Sequence, residues 1–218
     1  MKTLLTIIIF CFIFNGFLTA QTISGNFSQL PNQEIRLEGF NGLNTFPISK
    51  TIINENGLFE LSYSNDNRGV GYLLTLENQP LFVILSGENI EIMGEALNFP
   101  EAITITKGKQ NQIYQQYIKE QYMREQVLSA WYFLQKIYAF DSLLTIHKEP
   151  VKAINEEFRR IKNEEEYFLN QLPKESYVQW FLPISKLISS VSTIAQYRPE
   201  EIPKTIAAFR AIDYADQR

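Results

Sequence analysis

Cysteine is almost absent from this chain of 218 residues, since Cys11 stands alone inside an apolar stretch that runs from residue 4 to 14. Lys2 precedes this stretch, Asn15-Gly16 ends it, and Thr19-Ala20 comes directly before Gln21. A basic start, an apolar core and a small-residue cleavage site are the three parts of a secretory signal peptide. The apolar core is also shorter than the ~20 residues of a membrane-spanning helix. We therefore predict a signal peptide over residues 1–20, export by the Sec route, and no stable membrane insertion after cleavage.

The missing thiol excludes several kinds of chemistry. A mature chain that starts at Gln21 has no cysteine, so it has no disulfide, no thiolate nucleophile and no zinc–thiolate site. Cleavage also removes Lys2 but no acid, which leaves 19 basic and 24 acidic residues and a net charge of −5. Nucleic acids and anionic membrane surfaces need clustered positive charge in a protein that binds them. The composition therefore argues against both as partners.

Histidine is as scarce as cysteine, since His147 is the only one. A Ser–His–Asp triad or a histidine-ligated metal would have to use it. It lies in a polar connection between two predicted helices, where a solvated side chain is the ordinary outcome. The carboxylates of the first half, such as Glu38, Glu60 and Glu77, have no spacing that selects an acid–base pair. We predict no catalytic residue, no cofactor and no metal, and therefore no enzyme; a hydrolase using carboxylates is the least favoured alternative.

Glycine stops at Gly108, and the chain changes character there. Over residues 21–108, short β-type runs alternate with Gly, Asn and Pro turns. Ile35 and Leu37 alternate with charged neighbours, and Asn54-Glu55-Asn56-Gly57 is typical of a hairpin turn. Seven or eight short strands at ~8–12-residue spacing predict an antiparallel β-sandwich or a partly closed barrel.

Residues 109–218 show helical spacing instead. The first helix carries two apolar stripes with steps of three and four, made of Ala130, Phe133, Ile137, Phe140 and Leu144, and of Val127, Trp131, Leu134 and Tyr138. A second helix after Pro150 has heptad-like apolar spacing that Glu165 breaks. We predict a structural helical hairpin, a third helix capped by Ser176, and a short helix over residues 203–212. The fold class is α+β.

Two polar groups on these helices are candidate sites. Glu164-Glu165-Glu166 point in different directions on a helix, so we interpret them as a solvated face and not as a cation site. Tyr114, Tyr117 and Tyr122 stand among Gln and Lys residues on the first helix. Such aromatics either anchor a protein or glycan partner or lie at a helix–sheet seam with their hydroxyl groups in water. Both alternatives stay open, and the three tyrosines are the candidate interaction surface.

Several segments resemble a known family. They are Ile23-Ser24-Gly25, Gly57-Leu58-Phe59, Tyr72-Leu73-Leu74, Phe82-Val83-Ile84-Leu85 with Gly87, Asn89-Ile90 and Gly94, the exit Gly108, Asn111, Tyr114, Tyr117, and the stretch from Phe209 to Arg218. They are similar to an uncharacterised β-domain and helical region of Bacteroidota envelope proteins. In that family a thioredoxin-like domain of the TlpA/ResA type follows. The resemblance implies a periplasmic or cell-envelope location.

The resemblance also implies a role. The Cys-x-x-Cys motif of the thioredoxin-like part is absent from residues 21–218, so no catalytic residue carries over to this chain. We expect a truncated product, a fragmentary gene product or a stand-alone member of the family. The implied function is a non-catalytic envelope module that precedes, positions or supplies specificity to a thiol–disulfide oxidoreductase domain. Its expected partner is a thioredoxin-like domain or another envelope protein. The alternative is a stand-alone periplasmic protein that binds a peptide, a glycan or an envelope partner.

Overall fold

The computed structural model describes residues 20–213 except 42, 43, 77–79 and 99. The chain divides between Thr106 and Lys107 into two compact units, which we call the β unit and the helical unit. The predicted signal peptide, apart from Ala20, lies outside the described residues. The predicted α+β class is confirmed, because the described strands all precede the described α-helices.

Eight strands make two four-stranded sheets in the described part of the β unit. The strands are β1 Gln21–Phe27, β2 Glu34–Asn41, β3 Asn44–Ile52, β4 Leu58–Tyr63, β5 Gly69–Leu74, β6 Leu81–Leu85, β7 Ile90–Gly94 and β8 Thr104–Lys107. The first sheet has the order β4-β1-β7-β8 and the second β3-β2-β5-β6. Ile23 and Ile92 of the first sheet and Leu37 and Leu73 of the second belong to one buried apolar cluster. The two sheets therefore form a sandwich around a common core.

One strand pair departs from the expected antiparallel pattern. β1 pairs antiparallel with β4 but parallel with β7, with Ile23 opposite Ile90. The short link after β6 carries the chain from the second sheet to the first, where β7 lies beside β1. Asn89 in this link accepts a hydrogen bond from the Thr22 N–H at 3.0 Å. A side chain at Gly25 would lie 2.1 Å from the Ile92 carbonyl oxygen, so the β1–β7 approach requires glycine there.

The predicted turn at Asn54–Gly57 is confirmed, but it is not a hairpin within one sheet. The Asn54 Oδ1 accepts from the N–H groups of Asn56 and Leu58, each at 2.9 Å. Gly57 has φ +81°, a conformation that favours glycine. β3 and β4 lie in different sheets, so this turn links the two layers of the sandwich.

Four α-helices make up the described part of the helical unit: α1 Lys109–Phe140, α2 Lys148–Gln171, α3 Tyr177–Tyr197 and α4 Ile202–Arg210. α1 contacts both α2 and α3, and α4 contacts α3. The predicted cap is confirmed, since Ser176 Oγ accepts from the Gln179 N–H at 3.2 Å. α3 continues through Pro183. No helix in the described part of the chain combines the length and apolarity that crossing a bilayer requires.

Candidate functional site

The buried face of α1 carries polar side chains. Tyr117 is 1% exposed and Gln121 is 4% exposed. With Arg124, they lie three or four residues apart and so share one side of the helix. The Gln121 Nε2 donates to Glu125 Oε1 at 2.8 Å, and the Arg124 guanidinium donates to Glu120 at 2.8 Å. The interior of the helical unit is therefore polar along this stretch.

A buried hydrogen-bonded group, which we call the polar triad, joins the three long helices. Tyr117 Oη of α1 donates to Glu165 Oε1 of α2 at 2.7 Å. The other carboxylate oxygen, Oε2, accepts from Lys186 Nζ of α3. Glu165 is only 5% exposed. Both of its oxygens are thus occupied by donors from other helices.

Our interpretation of Glu165 as part of a solvated face is wrong. Glu164 is exposed and pairs with Arg160, as expected for a surface residue. Glu165 instead continues the buried side of α2, four residues after Ile161 and eleven after Ile154. The signal was visible in the sequence, because an acid at an apolar heptad position needs a partner if that face is buried. Nothing in the sequence around Lys186 indicated that this lysine pairs with Glu165.

The triad favours a structural role over acid–base catalysis. Burial raises the pKa of the Tyr117 hydroxyl, and the neighbouring Glu165 charge and its hydrogen bond raise that pKa further. The hydroxyl therefore stays protonated at neutral pH and acts as a donor. A general base needs a lone pair free to face a substrate, whereas both carboxylate oxygens of Glu165 accept hydrogen bonds from Tyr117 and Lys186. The described residues also contain no cluster of three or more His, Cys, Asp or Glu that could hold a metal ion.

The three candidate tyrosines do not share a surface. Tyr117 is buried and stacks on Phe168 with ring centroids 5.8 Å apart, so its assignment to a surface is wrong. Tyr114 packs against Phe181 of α3 at 5.8 Å. Tyr122 is 66% exposed. An interaction surface therefore remains a prediction for Tyr122 alone. Its expected neighbours on that surface, Tyr114 and Tyr117, pack against other helices instead.

The apolar stripes of α1 lie mostly on its exposed side. We call this side the outer face of α1 and define it by five large residues that are each more than a third exposed, Tyr122, Met123, Val127, Phe133 and Leu134. On a helix with 100° per residue, Met123, Val127 and Leu134 point on average about 120° away from Tyr117 and Gln121. The outer face is thus roughly opposite to the polar interior.

Highly exposed apolar side chains lie at the end of α1 and in the link between α1 and α2. Phe140, Leu143 and Ile146 are 85, 77 and 72% exposed, and we call these three residues the hairpin tip. Beside them lies an open hollow of about 540 Å³, lined by Tyr138, Leu144, Ile146, His147, Lys148, Glu149 and Pro150. His147 is the residue before α2, and its side chain makes no capping hydrogen bond.

The tip extends past the end of α3. Arg198, directly after α3, lies with its guanidinium 4.1 Å from the ring centroid of Tyr132. Tyr132 in turn packs on Phe158 of α2, with centroids 4.4 Å apart. α1 continues for eight more residues, about two turns, beyond Tyr132. The hairpin therefore projects beyond the level at which α3 ends.

The edge strand β3 of the β unit is a poor site for pairing with a partner's strand. β3 lies at one edge of the second sheet. It contains Pro47, and its pairing with β2 shifts between Leu37 and Glu38. Proline and bulges both blunt an edge against an added strand. Strand addition at β3 is therefore disfavoured.

Comparisons with known proteins add little. No protein-family model matches the chain, and no curated protein matches it. A crystal structure of a 9R-lipoxygenase from Cyanothece PCC8801 is similar over 29% of this chain and 12% of its own, at 20% identity and a TM-score of 0.23. A likeness at that TM-score supports no statement about fold or activity.

Proposed function

We propose that this protein is a non-catalytic cell-envelope module that docks onto a partner protein through the hairpin tip. The observation that carries this proposal is the exposure of Phe140, Leu143 and Ile146 at the end of a projecting hairpin. Single exposed apolar residues are common, but a contiguous set is typical of a protein-binding site. Aromatic and large aliphatic side chains are also the residues that contribute most to binding when a partner covers them.

The internal pairing of the charged groups supports a binding role over catalysis. Glu165 is held by Tyr117 and Lys186, and Glu157 and Glu164 are held by Arg160. The hollow beside the tip contains His147, Lys148 and Glu149 but is open to solvent on a hairpin connection. A catalytic site needs positioned groups in an enclosed setting, and this hollow does not supply one.

The partner that we propose is a thioredoxin-like thiol–disulfide oxidoreductase domain. This part rests on the resemblance to envelope proteins in which a β-domain and a helical region precede such a domain. A chain without cysteine after residue 20 contributes position or specificity, and the partner contributes the thiols. The tip would then act as the docking contact between the two.

A stand-alone binding protein is the second candidate. The hollow of about 540 Å³ beside the tip favours it, because this volume falls within the range of small-ligand sites. Tyr138 and Leu144 supply its apolar lining, and Lys148 and Glu149 supply charged groups. A short peptide with apolar side chains fits this chemistry better than a nucleic acid or a metal.

A site-specific photo-crosslinker distinguishes the two candidates. We would place it at Leu143 of the tip and, as a control, at Tyr167 of α2, which is similarly exposed. The protein is produced in its own cells, irradiated, and its adducts are identified by mass spectrometry. We expect adducts from Leu143 with a protein that carries a Cys-x-x-Cys thioredoxin-like domain, and none from Tyr167.

The other outcomes are also informative. Adducts from Leu143 with envelope peptides or with a protein without thiols would favour the stand-alone binder. Identical adducts from Leu143 and Tyr167 would show that the tip has no specific partner and would overturn the proposal.

A further inference from the structure

We propose that two copies of this chain associate through the outer face of α1. This inference goes beyond the proposed function and uses a surface other than the hairpin tip. It rests on the spacing, exposure, size and charge of the side chains along Tyr122–Leu134 and in the next helical turn of α1. The occupant to which we commit is a second copy of the same helix.

The spacing of the outer face is that of a coiled-coil seam. Met123, Val127, Ala130, Leu134 and Ile137 follow one another in steps of 4, 3, 4 and 3. Alternating steps of three and four place residues on the a and d positions of a heptad. Such a seam is the kind of surface that pairs with another helix of the same spacing.

Neither α2 nor α3 occupies this seam. The side chains of α1 that contact them, such as Tyr117 and Tyr132, lie on the other side of the helix. Met123 is 58% exposed and Val127 and Leu134 are more than a third exposed. The helical unit thus leaves a substantial part of the heptad seam exposed.

The exposed area of the outer face is close to what a specific dimer needs. Tyr122 and Phe133 occupy one row beside the seam and expose 66 and 57% of their surface. At ~200 Å² for each aromatic side chain, this row exposes roughly 250 Å² per copy. Two copies bring about 500 Å², and the exposed parts of Met123, Val127 and Leu134 bring the total toward the ~1,000 Å² that a specific interface needs.

The charge pattern favours a copy over a charged partner. From Gln126 to Phe140 the only charged residue is Lys136. On the helix it points about 140° away from the seam, so two copies would not oppose like charges across the interface. Lys136 is also the only basic residue in this stretch, whereas a lipid-binding face is typically bordered by several. A two-fold pairing of identical apolar seams satisfies these conditions.

Sedimentation equilibrium of the purified protein, up to about 100 µM, tests the pairing. We expect a dimer, and we expect Val127→Glu and Leu134→Glu to weaken it at least about tenfold. Ile188→Glu and Val191→Glu are matched controls, because they place the same charge at exposed apolar positions of α3. The controls should leave the dimer unchanged.

A crosslinking measurement keeps the proposal testable if a glutamate variant fails to fold. In a background without Cys11, Ala130→Cys places a single thiol on the seam, and Ser189→Cys places one on the exposed side of α3. A short bismaleimide should join two copies through residue 130 and not through residue 189. A chain that is monomeric throughout the concentration range, or a dimer weakened equally by the α3 variants, would overturn the proposal. So would a monomer that binds anionic vesicles through Val127 and Leu134. The hairpin tip keeps its partner in every one of these outcomes, so failure of the dimer and failure of the proposed function are separable.

Discussion

In the β unit, the fully buried side chains are almost all aliphatic or aromatic, whereas the helical unit buries Asn111, Gln121 and Glu165 beside Tyr117. The helical unit does have buried apolar residues, such as Ile161. Its longest helix nevertheless carries much of its apolar surface on the exposed side. The β unit has the ordinary arrangement of a self-sufficient domain. The helical unit differs in that much of the apolar surface of its longest helix is exposed, and both contacts that we propose rest on this exposure.

The largest expected effect is on the apolar core of the β unit. Leu73→Ala should lower the free energy of unfolding by about 2–5 kcal/mol, because Leu73 is fully buried between the sheets. The same deletion at the outer face, Leu134→Ala, should cost under about 0.5 kcal/mol. Chemical denaturation of both variants, followed by far-UV circular dichroism, measures the two costs. Equal costs would remove the contrast between the units.

The next effect concerns the polar triad. Lys186→Met should lower the free energy of unfolding by about 2–3 kcal/mol, because it leaves the buried Glu165 carboxylate without its cation. The loss is limited because the Lys186 side of the pair is partly exposed, so water reaches the carboxylate from there. Lys162→Met, which breaks the exposed pair with Glu166, is the matched control and should cost under about 0.5 kcal/mol. Trp131 and Trp180, the two tryptophans of the chain, both lie in the helical unit, so their fluorescence follows the unfolding of that unit. A negligible loss in Lys186→Met would show that the triad does not hold the helices together.

These cases show how far the sequence predicts the structure. The strands could be predicted from local signals, such as the alternation of Ile35 and Leu37 with charged residues and the turn at Asn54–Gly57. The sheet assignment of β3, β4 and β7 depends on which layer each strand joins, and no local pattern carries that information. Glu165 was visible as a break in a heptad, but its partners Tyr117 and Lys186 are 48 and 21 residues away. The apolar stripes of α1 were found, whereas the side of the helix that faces α2 and α3 is fixed by tertiary packing.

Alkaline pH should destabilise both units through one tyrosine in each. Burial raises the pKa of Tyr63 in the β unit and of Tyr177 in the helical unit to about 12 from an ordinary value of 10. The unfolded chain releases these protons first, so the stability that each contributes is complete below pH 10 and is lost as pH rises from 10 to 12. We expect a loss of about 1–2 kcal/mol per tyrosine. Tyr177→Phe should flatten the pH dependence of the tryptophan signal, and a slope unchanged by that substitution would contradict the assignment.

A smaller effect tests the start of α3. Ser176→Ala should cost about 1 kcal/mol, because the Gln179 N–H loses its side-chain acceptor. Ser189→Ala, at an exposed position in the middle of the same helix, is the control and should be neutral or slightly stabilising because alanine is the better helix former. Thermal unfolding followed by tryptophan fluorescence measures both. Equal effects at the two positions would mean that Ser176 does not cap the helix.

The measurement that tests the central claim most directly is the stability of the combined variant Met123→Gln, Val127→Gln, Leu134→Gln. At a protein concentration low enough to keep the chain monomeric, we expect its free energy of unfolding to stay within about 1 kcal/mol of the unsubstituted protein, because these side chains already face water. A loss of more than about 3 kcal/mol would show that the seam is packed inside the helical unit. That result would contradict the claim that the outer face of α1 is available to bind a second copy.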